Sequence, residues 1–184
     1  TVIREALRTL DARGLISISQ GRLPVVSDPG SQVISDAFQL LFRSDGEEKV
    51  IHLLDIRQMI EPEVCARAAL KATEKNKAKL KEALELHRSS QDNPMALLQH
   101  DFRFHLELAC ATQNPLVLVM LEPVMNLMKE YRLKVFRSEY LPEAIRHHTE
   151  IFDRICARDP EGARQAMKAH LAFVEKEVSQ YLAE

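Results

Sequence analysis

The chain has 184 residues, of which 46% are hydrophobic and 28% charged, so it is long enough and apolar enough to bury a core. Its formal net charge of −2 excludes a uniformly basic nucleic-acid binder, although such an average can hide a local positive patch. The five Gly, the absence of Trp and the long stretches of Leu, Ala, Glu, Lys and Arg favour an all-α fold and argue against an all-β fold.

The first 26 residues predict a short helix followed by a β-hairpin. Apolar side chains recur at helical spacing over residues 1–13, and Gly14 is a natural helix end. The alternating residues 15–19 and the apolar run 23–26 then predict two strands, and Pro24 confines the second strand to an edge because it cannot donate to the ladder. This segment is also basic, since its four arginines face only two acidic residues.

The stretch SDPGS at 27–31 has the composition of a linker and indicates a domain boundary. We expect a first domain over residues 1–28, a linker at 29–32 and a helical domain over 33–184. Breaks at glycine, and at Asn or Asp followed by Pro, delimit the helices of that domain. The predicted helices span residues 32–43, 48–72, 74–91, 94–112, 115–137, 141–157 and 160–182, with kinks expected at Pro62 and Pro123.

The three cysteines and the hydropathy of the chain indicate the cellular compartment of the protein. The cysteines are odd in number and far apart, which argues against a disulfide framework. No apolar run reaches the roughly 18 residues of a membrane span, and no signal-peptide pattern opens the sequence. These features predict a soluble, cytoplasmic protein.

Four ionisable residues fall on otherwise apolar helix faces, where a charge is costly unless it is paired or binds a metal. Asp101 and His105 are four residues apart and therefore project from one face of a helix. His148 and His170 align with the apolar residues of two later helices. Three imidazoles and one carboxylate suit zinc, with nickel or another late first-row ion as the alternative. Any one of these histidines could instead be a hydrogen-bonded core residue.

Two further expectations concern the remaining polar residues. Arg57 shares an apolar helix face, where it either pairs with Glu61 four residues on or holds a ligand carboxylate with its guanidinium fork. Beside a metal with open coordination positions, the second arrangement would make a site for a carboxylic acid. Four other histidines have no neighbouring candidate ligand on an apolar helix face and are expected at the surface: His52, His87, His100 and His147.

Four segments carry a resemblance to a known family. They are TVIREALRTLDARGLISISQGR, IRQMIEPEVCARAAL, HDFRFHLELACATQNPLV and HTEIFDRICARDPEGARQAMKAHL. With these motifs the chain resembles the GntR-type bacterial transcription regulators, in the branch with the all-helical FadR-type C-terminal (FCD) sensor domain. The resemblance implies an antiparallel bundle of six or seven helices, preceded by the remnant of a winged helix-turn-helix. That remnant comprises the recognition helix and the β-hairpin wing, and the first two helices of the winged domain are missing from this sequence.

The resemblance also assigns roles to individual residues. In the family, the D-x-x-x-H pair and two later histidines hold a divalent metal inside the bundle, and an arginine of the first sensor helix helps to hold carboxylate effectors. These roles carry over to the metal ligands Asp101, His105, His148 and His170 and to Arg57 for the effector. The DNA-contacting positions match Thr1, Arg4, Gln20 and Gly21. Where many members have Gly-x-Gly-Thr in the wing, residues 21–24 read GRLP, so fewer backbone contacts to DNA are expected.

The function implied is that of a homodimeric DNA-binding transcription regulator, and not of an enzyme. Its effector would be a small carboxylic acid, either a hydroxy acid or a sugar acid, whose binding alters the affinity for operator DNA. Two alternatives stay open at this point. One is a metal-dependent hydrolase with Glu61 or Glu107 as its base, and the other is a helical bundle whose metal is purely structural.

Overall fold

The structure, a computed structural model, describes residues 2–19, 21–26, 34, 36–38, 40 and 48–183, with the backbone alone for Glu130. Helix α1 spans Val2–Ala12. It ends at Gly14, whose φ of 69° is the left-handed conformation that closes many helices. The strands β1 (Ile16–Ser17) and β2 (Val25–Val26) pair antiparallel, with Ile16 opposite Val26. The predicted helix and hairpin are therefore both present.

The second part of the described chain is helical. Its helices are α2 (Glu48–Lys71), α3 (Glu74–Ser89), α4 (Pro94–Ala111), α5 (Pro115–Val135), α6 (Leu141–Cys156) and α7 (Pro160–Leu182), with a 3₁₀ turn over Ser138–Tyr140 before α6. Their ends fall within two residues of the predicted ones. The linker predicted at 29–32 lies outside the described residues. The helix predicted over 32–43 is described only at 34, 36–38 and 40, which are helical.

Side-chain caps set the start of four of these helices. The side chains of Asn93, Asn114 and Asp159 each accept a hydrogen bond from a backbone amide in the first turn of α4, α5 and α7, and a proline follows each of them. Thr73 and Asn76 form a capping box at the start of α3. The caps satisfy amides that have no partner inside the helix, and proline has no amide to satisfy.

Helix α2 is central to the bundle, because it contacts α4, α5, α6 and α7. Its buried face carries small or branched side chains such as Leu53, Cys65 and Ala68, together with the buried charged residues Arg57 and Glu61. Pro62 and Pro123 lie inside α2 and α5, and both helices continue past them. None of the helices described is long and apolar enough to cross a membrane. The bundle is all-helical, as the sequence predicts.

Candidate metal centre

The four predicted metal ligands lie on three helices and are all buried. Asp101 and His105 lie one turn apart on α4, His148 lies on α6 and His170 lies on α7. The exposed fraction is 4% for Asp101 and at most 1% for each histidine. Because each residue is on the apolar face of its helix, packing of the core draws the four together.

The distances between the ring nitrogens are short enough for a shared ion. The Nε2 atom of His148 lies 3.4 Å from Nε2 of His170 and 3.6 Å from Oδ1 of Asp101. Donor atoms of His105, His148 and His170 all lie within 4.8 Å of one another. Ligand atoms bound to one ion at about 2.1 Å are roughly 3 to 4 Å apart. Asp101 joins this group through His148, since its own 4.8 Å group contains His148 and His87.

The protonation states of these residues suit a divalent metal. Burial lowers the pKa of His148 and of His170 well below the ordinary value, so both imidazoles are neutral near pH 7 and keep a lone pair. Burial would raise the pKa of Asp101, but attraction to His148 and His87 in their protonated forms, which are present at low pH, outweighs burial, and the pKa of Asp101 falls below its usual range. Within the described chain, Nδ1 of His170 has no hydrogen-bond partner. Neutral imidazoles and an ionised carboxylate are the metal-binding forms, so the residues fit a late first-row ion.

Glu61 on α2 supports the ring of His105. Its carboxylate contacts Nδ1 of His105 and also binds the guanidinium of Arg57. Burial opposes ionisation of Glu61, but Arg57 and His105 lower its pKa to about 2. A carboxylate that accepts from Nδ1–H leaves Nε2 of the same ring with its lone pair free for a metal. Glu61 therefore fixes both the orientation and the tautomer of His105.

Arg57 pairs with Glu61, so the first of the two arrangements expected for it is present. Its exposed fraction is 1%, and its Nη2 atom lies 3.3 Å from Nε2 of His105. The same Nη2 atom lies 3.5 Å from Nδ1 of His105, so the guanidinium packs against the imidazole ring, close to the nitrogen that would face a metal. The ion pair does not exhaust the five N–H donors of an arginine. The side chain can hold Glu61 and still present N–H groups to an anion at the metal centre.

Two of the histidines expected at the surface are buried, and for these the sequence-based prediction is wrong. His87 is 1% exposed and His147 is 6% exposed, whereas His52 is exposed and His100 is partly buried. Nδ1 of His87 lies 3.2 Å from Nδ1 of His148. His87 follows Leu80 and Leu84 on the buried face of α3, and this spacing was a signal that could have identified it.

A buried ion pair beside the metal centre was also missed. Nη1 of Arg132 on α5 donates to Glu177 on α7 over 2.7 Å, and both side chains are less than a tenth exposed. Burial raises the pKa of Glu177, and Arg132 opposes that rise. Arg132 continues an apolar stripe with Met125 and Met128, so the spacing that singled out Arg57 would have identified it as well.

The positions predicted to contact DNA are described in part. Arg4 lies on the exposed surface of α1, and Gly21 lies between the strands with a φ of 76°, a conformation that suits glycine. Thr1 and Gln20 lie outside the described residues. The amide of Ile18 donates to the side chain of Asp11, which ties the first strand to α1.

Comparisons with known proteins agree with this architecture. The FCD domain model matches residues 52–173. Over its full length the chain is 30% identical to the HTH-type transcriptional regulator LutR of Bacillus subtilis, covering 86% of that protein. It is 28% identical to the HTH-type transcriptional repressor NanR of Klebsiella aerogenes, over 94% of this chain and 68% of the relative. The solved structure of a GntR protein from Streptococcus agalactiae superposes with a TM-score of 0.78 at 24% identity, over 95% of this chain and 80% of that one.

Proposed function

The chain belongs to the FCD-domain class of GntR-type transcription regulators, and we propose on that basis that its helical bundle senses a small carboxylic acid through a divalent metal. Membership makes the protein a DNA-binding transcription regulator and not an enzyme, as its relatives LutR and NanR are regulators by name. The ligands of the metal would be Asp101, His105, His148 and His170, and the preferred ion would be zinc.

The observation that carries the proposal is the position of Arg57. A guanidinium 3.3 Å from Nε2 of His105 would lie beside any ion bound to that nitrogen. Glu61 already balances the charge of Arg57, but the N–H groups that this ion pair leaves unused can bind an anion that is itself bound to the metal. A carboxylate can bind the ion with one oxygen and accept from Arg57 with the other, because the guanidinium fork matches carboxylate geometry. We therefore infer a carboxylic acid as the effector class, with hydroxy acids and sugar acids preferred because a hydroxyl can also bind the metal.

Effector binding would act on DNA through the arrangement of two subunits. Operators of winged-helix dimers contain two half-sites about one helical turn apart, and a homodimer places one reading helix at each. An acid changes operator affinity only if it binds the two arrangements of the dimer differently. We propose that the acid-bound form binds the operator more weakly.

The test combines metal analysis, a ligand screen and DNA binding on the whole protein. Purified protein is analysed for bound metal, and zinc-loaded and chelator-treated samples are screened by thermal shift against small carboxylates. Acids that raise the melting temperature are then titrated into a complex with operator DNA selected from a random-sequence pool. We expect stabilisation by acid only in the zinc-loaded sample, followed by release of DNA.

Two matched variants distinguish a metal that takes part in sensing from a metal that has a structural role only. Arg57→Met is expected to abolish the acid-induced shift while metal content is retained. Arg103→Met, at a partly exposed arginine on α4 that pairs with Glu82, is expected to behave as wild type. If removal of the metal lowers the melting temperature and no acid raises it, the metal has a structural role only, and the proposal is contradicted.

A further inference from the structure

A groove runs along the surface of the bundle between α4 and α5. It consists of two adjoining hollows of about 420 and 230 Å³, both of which are lined by Gln99, Phe102 and Lys129. The smaller hollow contains Met95 from the start of α4 and Leu133 from the end of α5. The larger one contains Cys110 from the end of α4 and Leu118 from the start of α5. The groove therefore follows two antiparallel helices for about four turns.

Much of the groove lining is apolar, and part of that apolar surface is exposed. Met95 and Leu133 are 61% and 39% exposed, while Leu98 and Phe102 of the same hollow are buried. Met125 adds a further buried apolar side chain to the larger hollow. Contiguous exposed apolar surface beside polar residues is typical of a place where another molecule packs. The apolar side chains indicate a binding surface, and the charges of the groove indicate its partner.

Two opposite charges on α5 lie towards opposite ends of the groove. Glu122 and Lys129 both line it and are seven residues apart, which places them two turns apart on one side of the helix. That separation is about 10 Å along the axis, so the two side chains do not form an ion pair with each other within one chain. The charges of Arg103 and Glu107, in the same lining, are already paired with those of Glu82 and Lys79 on α3. The groove thus has an acidic end at Glu122 and a basic end at Lys129.

This distribution of charge is complementary to itself. When a two-fold axis crosses the groove at its middle, in the plane of the contact, α5 of one copy lies antiparallel on α5 of the other. Lys129 of each copy then faces Glu122 of the other, and the two contacts are equivalent. The apolar end at Met95 and Leu133 faces the end at Leu118 of the second copy. An axis along the groove would instead place Lys129 opposite Lys129, so the charges favour the antiparallel pairing.

We propose that the groove between α4 and α5 binds the same face of a second copy of this chain, antiparallel, through two Lys129–Glu122 contacts. The inference deepens the proposed function, which requires two copies but assigns no face to them, and it rests on that function for the need of a pair. It also gives the pairing a route to the metal centre. Helix α4, which forms one side of the groove, carries Asp101 and His105, so a shift of α4 at the metal would reach the second copy directly.

The experiment reverses each charge and measures the mass of the whole chain by light scattering over a dilution series. We expect wild type to form a dimer. Lys129→Glu places like charges at both contacts and should weaken the dimer about 10- to 100-fold, and Glu122→Lys should do the same, because two attractive pairs become repulsive. Lys176→Glu makes the same change of charge at an exposed position on α7 and should dimerise as wild type does.

A mixture of the two variants tests whether the charges meet between chains. One Lys129→Glu chain and one Glu122→Lys chain again bring opposite charges together at both contacts, so the mixture should form mixed dimers about as tight as wild type. Native mass spectrometry with one chain isotopically labelled detects them, and neither variant alone can reproduce this result.

Three outcomes would overturn the proposal. A wild-type dimer that neither reversal weakens, or a mixture no tighter than the separate variants, would exclude this face while leaving the paired regulator of the proposed function intact. A wild type that stays monomeric would exclude both the face and the pair, and would leave the groove to a partner of another kind, such as an amphipathic helix.

Discussion

At the scale of single residues, we expect Glu61 to have the clearest effect on the affinity for the metal. It accepts from Nδ1 of His105 and is held ionised by Arg57, with its pKa lowered to about 2. Glu61→Gln keeps the shape but replaces a charged acceptor with an amide. We expect zinc affinity to fall about 10- to 100-fold, the range typical of lost partners behind a metal ligand.

Competition with a chelator of known affinity measures this effect. The control is Glu63→Gln on the same helix, whose carboxylate is exposed and binds Arg164 at the surface. The control should bind zinc as wild type does. Unchanged zinc affinity in Glu61→Gln would mean that His105 is oriented by packing alone, or that it is not a ligand.

At the scale of elements, the cap of α7 should contribute measurably to stability, because α7 brings His170 to the centre. The side chain of Asp159 accepts from the amide of Gly162 over 2.8 Å and also pairs with Arg154. Asp159→Ala is expected to lower the free energy of unfolding by about 1 kcal/mol, the usual cost of losing such a cap. Urea denaturation measures it, with Asp92→Ala at an exposed position as the control. Equal stability of the two variants would contradict the assignment of the cap.

Elements were also what the sequence predicted best. Asn93, Asn114 and Asp159, each followed by proline, mark helix starts through local chemistry that needs no knowledge of the fold. Apolar spacing likewise pointed His148 and His170 inward. The burial of His87 and the ion pair of Arg132 with Glu177 were missed although their spacing was informative, because no motif drew attention to them. The spacing of apolar residues could not predict the partner of each inward side chain, because the partners are set by the packing of helices that are distant in sequence.

At the scale of the whole molecule, the buried imidazoles should make the metal-free protein sensitive to mild acid. Burial lowers the pKa of His148 and His170 in the folded chain, while in the unfolded chain each titrates near 6.5. Below that pH the unfolded state binds protons that the folded state does not, so stability falls as the pH falls. The slope is about 1.4 kcal/mol per pH unit for each imidazole. Glu61 does not contribute here, because the stability it adds is lost only as the pH falls from 4.5 towards 2.

Urea denaturation of chelator-treated protein between pH 7.5 and 5.5 tests this dependence. His148→Phe removes one titrating ring and should reduce the slope, even if its stability at pH 7.5 also changes. A slope identical to that of wild type would show that His148 is protonated as readily in the folded chain as in the unfolded one. Zinc-loaded protein should show a steeper loss, because protons also displace the metal.

The coupling between acid and DNA offers a test of the whole assembly that does not depend on knowing the regulated genes. If an acid lowers operator affinity by some factor, thermodynamic linkage requires operator DNA to lower the affinity for that acid by the same factor. We expect this equality for zinc-loaded wild type, measured by calorimetry with and without saturating operator. Arg57→Met should bind operator as wild type does, yet show neither half of the coupling, because Arg57 lies in the bundle at His105. Acid affinity that is unchanged by operator DNA, in a protein whose operator affinity responds to acid, would mean that the acid acts through another molecule.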